Sequence, residues 1–362
     1  MRVLLNALSI TNRSGTGRYA WGLIHGFVQN RFADLDLHVL VPSDFLPPER
    51  WRNAEGVNFI SIPIRSAGQR FFWEQWRLPN LVNHIQPDVL HSPAFLAPFL
   101  RKINAAQIVT IHDMAFRTYR QTIPLWRRLF YSWAIPASMR RASIVITDSR
   151  AIAQELSTSP RPLPRLRVIP IHLGVDRETF HPNPQPQDAA VARSYGLESP
   201  YILAVGTMEP RKNLSMLAEA HSLAQNSGLK AELVLAGRYG WMVDAERFRR
   251  PGVRLIGYVP DDSLPALYRC AVALAAPSWY EGFDLPAQEA LACGTSVIAS
   301  DIPVHRETMN DGVLFAPPND REAWAKGLCA VEKTSKPTRL SPIRGWDETA
   351  RETRKVYEDA MA

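Results

Sequence analysis

Short apolar runs alternate with longer stretches of helical periodicity along the whole chain. The first half carries VLLNAL, LHVLV, VNFISI, PDVLH, QIVTIHD and SIVITDS. The second carries PYILAVG, ELVLAG, VRLIGYV, ALAAP, TSVIAS and GVLFAP. Several of these runs are continuously apolar and β-branched, and turn or cap residues follow them. Strands of a parallel sheet covered on both faces read this way, whereas strands with one wet face alternate. Helical patterns such as LSMLAEAHSLAQ and LPAQEALAC lie between them. The fold class expected is α/β, with two doubly wound, Rossmann-like domains. No short internal repeat argues for a solenoid or propeller.

The division is expected in HPNPQPQDAA, the most Pro- and Gln-rich polar segment between the two strand series, giving domains 1–180 and 181–344. A second polar segment, EKTSKPTRLSPIR, precedes a closing helix in residues 345–362. At 362 residues the chain is long for one core, which agrees with two domains. No apolar run reaches the roughly 20 residues needed to span a bilayer, and MRVLLNALSI reads as a first strand rather than a leader. The three cysteines form no CxxC and no metal-ligand spacing with histidine, as in a reducing, cytoplasmic setting.

Charge adds an asymmetry. Residues 1–180 hold 22 Lys and Arg against 12 Asp and Glu, nearly all of the cations being arginine, while the remainder holds 20 against 23. A basic first half suits nucleic acid, a diphosphate-bearing ligand or an anionic membrane surface. RFFWEQWR (70–77) and WRRLFYSW (126–133) interleave arginine with aromatic residues. Such segments suit a membrane interface, and equally a helix packed with an arginine rim.

Four places carry candidate chemistry. After the first strand, TNRSGTGRYA opens a helix, and Gly15 and Gly17 would let backbone approach a phosphate. Gly15-x-Gly17-x-x-Ala20 also fits a dinucleotide fingerprint, so an NAD(P) oxidoreductase is one alternative. Arg211 and Lys212 follow the strand PYILAVG and open a helix. Cations there oppose the helix macrodipole, which makes sense if a polyanion binds. His112 lies just past the strand QIVTI, where it could meet a substrate hydroxyl or be satisfied within the protein. There is no GxSxG that would make it a hydrolase base.

The fourth is Trp279–Ser300, WYEGFDLPAQEALACGTSVIAS. Asp284 reads as a helix N-cap, and Glu289 lies one turn in, where the macrodipole favours acids. Glu281 sits in the loop before the helix with no such structural reason. Two glutamates near Arg211 and Lys212 complement a ligand with sugar hydroxyls at both ends and a diphosphate in the middle.

These residues resemble a known family. EGFDLPAQEALACGTSVIAS is similar to the E-x7-E signature of retaining glycosyltransferases of the GT-B fold, family GT4, which reads close to EGFGLPxLEAMACGxPVIAS. VGTMEPRKNL, LAGRYG, LIGYVPDDSLPALY and GWDETARETRKVYEDA resemble further landmarks in the same order. SGTGRYAWGL, FFWEQWRLP, PDVLHSPAFLAP, VTIHDMAF and IVITDS resemble the acceptor-side domain of mannosyltransferase-like members. The resemblance implies two domains facing a cleft, with the closing helix packed back on the first.

For the site, the resemblance implies Glu289 on the ribose hydroxyls and Glu281 by the donor sugar, beside the backbone of Gly282, Phe283 and Asp284. It implies Arg211 and Lys212 on the diphosphate, Gly206, Gly15 and Gly17 near the donor phosphates, His112 on the donor sugar, and Tyr258 and Val259 along the base. It implies transfer of a hexosyl group, mannosyl from GDP-mannose, onto a surface-polysaccharide or lipid-linked glycan. No metal or other cofactor and no nucleic acid is implied, and a peripheral place on the inner face of the plasma membrane is. Rhamnosyl and glucosyl donors stay open, as does a non-catalytic nucleotide-sugar-binding homologue. The sequence departs from the signature at Asp284, which stands where the family has glycine, and at Gln288, where an apolar residue is usual; Asp284 either caps the helix or bears on donor choice.

Overall fold

The computed structural model describes residues 1–11, 15–158, 166–241, 245–309, 311–334 and 342–362. The chain forms two compact units. One comprises Met1–Thr118, Leu125–Gly174 and Arg344–Ala362; the other comprises Tyr119–Pro124 and Val175–Ile343.

The first unit holds β1 (Arg2–Asn6), β2 (Asp36–Pro42), β3 (Val57–Ile62), β4 (Val89–Ser92), β5 (Ala106–Ile111), β6 (Ile144–Thr147) and β7 (Arg167–Pro170) in the order β3-β2-β1-β4-β5-β6-β7. The second holds β8 (Tyr201–Val205), β9 (Glu232–Ala236), β10 (Val253–Gly257), β11 (Ala273–Ala276), β12 (Ser296–Ser300) and β13 (Val313–Ala316) in the order β10-β9-β8-β11-β12-β13. Every pairing is parallel. Alternate residues of β8 feed opposite layers: Tyr201 and Leu203 enter one apolar cluster, Ile202 and Ala204 the other. Both faces are covered, which is why the strand runs are apolar throughout. Strand order reverses between β1 and β4 in one sheet and between β8 and β11 in the other. Crevices at the carboxyl ends of such strand pairs are where open α/β sheets bind ligands.

The division falls after Gly174, six residues before the expected boundary. Val175 and Phe180 pack into the second unit's core with Leu197 and Tyr268, so the chain has changed core before the proline-rich segment begins. Residues 119–124 also cluster with the second unit, where the Tyr119 hydroxyl donates to the Trp279 carbonyl at 3.0 Å.

The closing helix, Trp346–Met361, belongs to the first unit and packs on the first helix, Gly15–Asn30. Two glycines permit the approach. A Cβ on Gly22 would lie 2.0 Å from the Trp346 ring, and one on Gly26 would lie 2.2 Å from the Trp346 carbonyl oxygen. Polar contacts complete the seam: Asn30 donates to the Asp347 carbonyl, and Tyr357 meets His91 Nδ1 at 2.7 Å.

Candidate active site

In the second unit, the loops after β8 and β11 bring the predicted residues together. Gly206 follows β8 with φ +146°, a conformation open to glycine, and a Cβ on Gly237 would lie 1.8 Å from the Gly206 carbonyl oxygen. The backbone therefore turns tightly over the ends of β8 and β9. Pro210–Lys212 then form a single 3-10 turn, and the helix Leu214–Asn226 begins only after Asn213. The expected conflict with the macrodipole is thus relieved, because Arg211 and Lys212 lie outside that helix.

Their charge is balanced within the protein. Arg211 Nη1 donates to Glu281 Oε2 at 2.6 Å, and Arg211 Nη2 donates to Glu209 Oε1 at 2.6 Å. Lys212 Nζ donates to Glu281 Oε1 at 2.6 Å, and the Ser278 hydroxyl donates to the same oxygen at 2.6 Å. Burial of Glu281 disfavours its charge, but Arg211 and Lys212 outweigh burial and hold its carboxyl far below the usual range. Lys212 is likewise opposed by burial and kept protonated by Glu281, with Asp284 adding to the effect. Glu281 is therefore a clamped, weakly basic carboxylate whose two oxygens already accept three strong hydrogen bonds. Gly206, Thr207, Lys212, Ser278, Asp284 and Pro286 line a small cavity at this switch point.

Asp284 departs from its expected role. It stands at the N-cap of the helix Leu285–Ala292, yet its side chain caps nothing. Its φ is +74°, the left-handed region that glycine enters freely. This explains the glycine of the family signature and makes the aspartate a costlier choice. The carboxylate turns instead to His305, whose Nε2 lies 3.1 Å from Asp284 Oδ2 while Nδ1 meets the Ser300 carbonyl at 2.8 Å. His305 is fully buried. A carbonyl only accepts, so Nδ1 carries a proton.

The other expected residues are placed as follows. Glu289 is buried on the same helix and accepts from the Tyr268 hydroxyl at 3.1 Å. Gly282 and Phe283 are buried in the loop before it. Tyr258 lies under the Arg238 guanidinium, 4.7 Å from its ring centre. Val259 is buried in the second unit's core.

In the first unit, His112 follows β5 and meets Asp148, which follows β6, with Nδ1 2.8 Å from Oδ2. Its Nε2 donates to the Pro93 carbonyl at 2.8 Å. Burial opposes the imidazolium, Asp148 outweighs burial, and His112 holds its proton above the ordinary histidine range. Both ring nitrogens are engaged by the protein, so a sugar contact would have to replace one of these bonds. Gly15 and Gly17 are not in a loop: they form the first turn of the helix Gly15–Asn30, Gly15 exposed and Gly17 buried. Asn12, Arg13 and Ser14 of that motif lie outside the described residues. The sequence reading missed Glu209, Ser278, His305 and Asp148. Only Asp148 had a usable signal, since both it and His112 directly follow strand runs.

Two family profiles match side by side: Glycosyltransferase Family 4 over residues 13–179 and Glycosyl transferases group 1 over residues 199–333. The chain is a family 4 glycosyltransferase. Among curated proteins it is similar to the O-antigen chain mannosyltransferase B of Escherichia coli, with 29% identity over 301 residues, 79% of this chain and 77% of that protein. It is also similar to the O-antigen chain mannosyltransferase RfbU of Salmonella typhimurium, with 23% identity over 342 residues and 90% of each chain covered. Among solved structures, a sucrose-phosphate synthase from Thermosynechococcus elongatus superposes with a TM-score of 0.73 at 20% identity, covering 99% of this chain and 98% of its own. That likeness establishes the GT-B fold of this glycosyltransferase. The dinucleotide reading of its first helix is not favoured, because the glycine motif lies within the matched family 4 region.

Proposed function

We propose that this glycosyltransferase moves a mannosyl group from GDP-mannose onto a surface-polysaccharide or lipid-linked glycan, with retention at the anomeric carbon and without a divalent metal. The observation that carries the reading is Glu281, clamped between Arg211 and Lys212 beside the cavity at the β8/β11 switch point. A carboxylate with so depressed a pKa is a poor nucleophile and a poor base. It suits a fixed acceptor of sugar hydroxyl protons, with the backbone of Gly282, Phe283 and Asp284 beside it. An ammonium has three protons, and Lys212 spends one on Glu281. It can face a diphosphate with the others, Arg211 and the Gly206 turn beside it, where a metal would otherwise neutralise charge.

In this reading the acceptor oxygen bonds to the anomeric carbon as the bond to the donor phosphate breaks. The acceptor proton passes to a phosphate oxygen on the same face, so no protein base is required. Glu289 holds the ribose, Tyr258 and the backbone of Val259 flank the base, and the first-turn amides at Gly15 and Gly17 face the phosphates. His112 contacts the donor sugar by exchanging its bond to the Pro93 carbonyl. The mannosyl donor is supported by the names of the two bacterial relatives. A peripheral place on the cytoplasmic face of the membrane is supported by an exposed apolar face on the first unit, where Leu125, Trp126, Leu129 and Trp133 lie on one helix. No helix among the described residues is long and apolar enough to cross a membrane.

A thermal-shift panel of GDP-mannose, UDP-glucose, dTDP-rhamnose and ADP-glucose, each with and without EDTA, tests the donor. GDP-mannose should raise the melting temperature most by mass action, and EDTA should leave the shift intact. A larger shift with another nucleotide sugar, or a shift abolished by EDTA, would overturn the corresponding part of the reading.

A further inference from the structure

The first unit has its own switch point, between β1 and β4, and a buried carboxyl sits beside it. Asn6 ends β1 and Ser92 ends β4, and the register pairs Leu5 with His91, which puts Asn6 beside Ser92. Both side chains lie on the face of Leu4 and Leu90, which pack against Leu78 and Val82. The helix Ala67–Trp76 precedes those residues directly and brings Glu74 to the same rim, where Asn6 Nδ2 donates to Glu74 Oε1 at 3.0 Å. Arg70 Nε lies 3.8 Å from that same oxygen. Among the described residues no protein group takes Oε2. Asn6 Oδ1 and Ser92 Oγ are buried with no hydrogen-bond partner among the described residues.

A purely structural Glu74 is hard to reconcile with its neighbour. Gln75 already fixes this helix with an amide, donating to the Ala97 carbonyl and accepting from the Phe99 and Leu100 amides. An amide at 74 would hold Asn6 equally well without desolvating a carboxyl. Burial lifts the Glu74 carboxyl above its usual range, and Arg70 and Asn6 offset only part of that. The second oxygen is what a carboxylate adds, and carboxylates with an oxygen to spare accept sugar hydroxyls.

We propose that Glu74, oriented by Asn6, is a hydroxyl-binding residue for the sugar acceptor at the carboxyl ends of β1 and β4. The assignment rests on the transferase reading and adds to it a residue that touches the acceptor rather than the donor. It is independent of which nucleotide sugar is used.

The full-length chain can be assayed with the nucleotide sugar that gives the largest thermal shift in the panel above. Acceptor-free donor hydrolysis and transfer to octyl mannoside, glucoside, galactoside and N-acetylglucosaminide are measured for the wild type, Glu74→Gln and Glu74→Asp. In Glu74→Gln the ratio of transfer to hydrolysis should fall about ten-fold, through a higher acceptor KM, because a charge-assisted hydrogen bond is replaced by a neutral one. Glu74→Asp should recover part of that ratio. Should Glu74→Gln melt too low to assay, Asn6→Asp, which loses the amide donor to Glu74, should show the same fall in ratio. A ratio unchanged in Glu74→Gln, or hydrolysis and transfer falling by the same factor, would overturn the proposal. A wild type that hydrolyses the donor but transfers to no octyl glycoside would also count against it, whereas one that neither hydrolyses nor transfers would overturn the transferase reading itself.

Discussion

At the scale of single residues, the second unit's site is a set of charges that neutralise one another. Lys212→Ala removes one of the two cations that hold Glu281, and breaking a buried ion pair by deleting one partner costs about 3–5 kcal/mol. Arg211 and Ser278 remain on the carboxylate, so the loss should fall near the lower end. Transfer should drop roughly 100- to 1,000-fold, the usual effect of losing one fixed donor to a developing anion. Urea melts and initial rates read the two separately, and an active Lys212→Ala would exclude a role on the diphosphate. Asp284 allows a finer test. Because its φ is +74°, Asp284→Gly relieves the backbone while Asp284→Ala keeps the strain, and the alanine variant should be less stable by about 1 kcal/mol. Both lose the partner of His305, so any common change in the ratio of GDP-mannose to GDP-glucose use reports the carboxylate and not the backbone. An unaltered ratio would leave Asp284 a purely structural residue. The glutamates were legible in the sequence because they interrupt an apolar frame, the basic pair because it follows a strand, and the oddity of Asp284 only through the family resemblance, where glycine is usual. Their partners Glu209, Ser278 and His305 were not, because the contacts with Arg211, Glu281 and Asp284 depend on loop conformation.

At the scale of elements, strands with two buried faces announced themselves, and the one strand left unread is β7. It is an edge strand of four residues with an exposed Arg167 and three half-buried positions, ending in proline. Edge strands tolerate proline and need no apolar run, so the hydrophobic pattern was silent there. The seam between the first and closing helices gives two predictions. Gly26→Ala places a methyl against backbone, the Trp346 carbonyl, which cannot rotate away, so the variant should lose about 1–3 kcal/mol. Limited proteolysis should then cut first within Trp346–Met361; cleavage elsewhere would mean that the seam absorbs the methyl. His91, on β4, is bonded to the same helix through Tyr357 and to β5 through Thr110. Burial, with His112 adding to it, pushes His91 down to about 3 from 6.5. It is neutral in the fold, so its contribution is full above 6.5 and lost as pH falls towards 3. Between pH 5.5 and 4 the wild type should lose stability by roughly 1.4 kcal/mol per pH unit more than His91→Gln does. Parallel slopes in urea melts at these pH values would place the proton elsewhere.

At the scale of the whole molecule, two cores were foreseen from chain length and strand series, while the transfer of residues 119–124 to the second unit was not. That segment is short and polar and carries no apolar pattern, and Tyr119 bonds to the Trp279 carbonyl and lies against the Tyr280 ring. The basic first half acquires a location. Leu125, Trp126, Leu129 and Trp133 expose more than half their surface along one helix, and Phe72 does so on another. The two helices are tied by rings, Phe71 lying 5.3 Å from Phe130 and 6.2 Å from Phe99, which in turn lies 5.2 Å from Trp133. Leu125, Leu129 and Trp133, four residues apart, share one face of their helix, with Arg127 and Arg128 within the same helix. Clustered exposed apolar residues of this kind are a feature of interaction surfaces. Aromatic residues mixed with arginine match the boundary between headgroups and acyl chains, each cation near an anionic surface adding about 1 kcal/mol. Vesicles of phosphatidylethanolamine and phosphatidylglycerol should bind the wild type at low salt. Trp126→Glu with Leu129→Glu should abolish binding with little change in the melting temperature, since both side chains are mostly exposed. Arg127→Gln with Arg128→Gln should weaken binding only to anionic vesicles and flatten its dependence on salt. If the wild type fails to sediment with anionic vesicles, or if the double glutamate variant still does, the aromatic face belongs to some other partner and the acceptor need not be presented by a lipid.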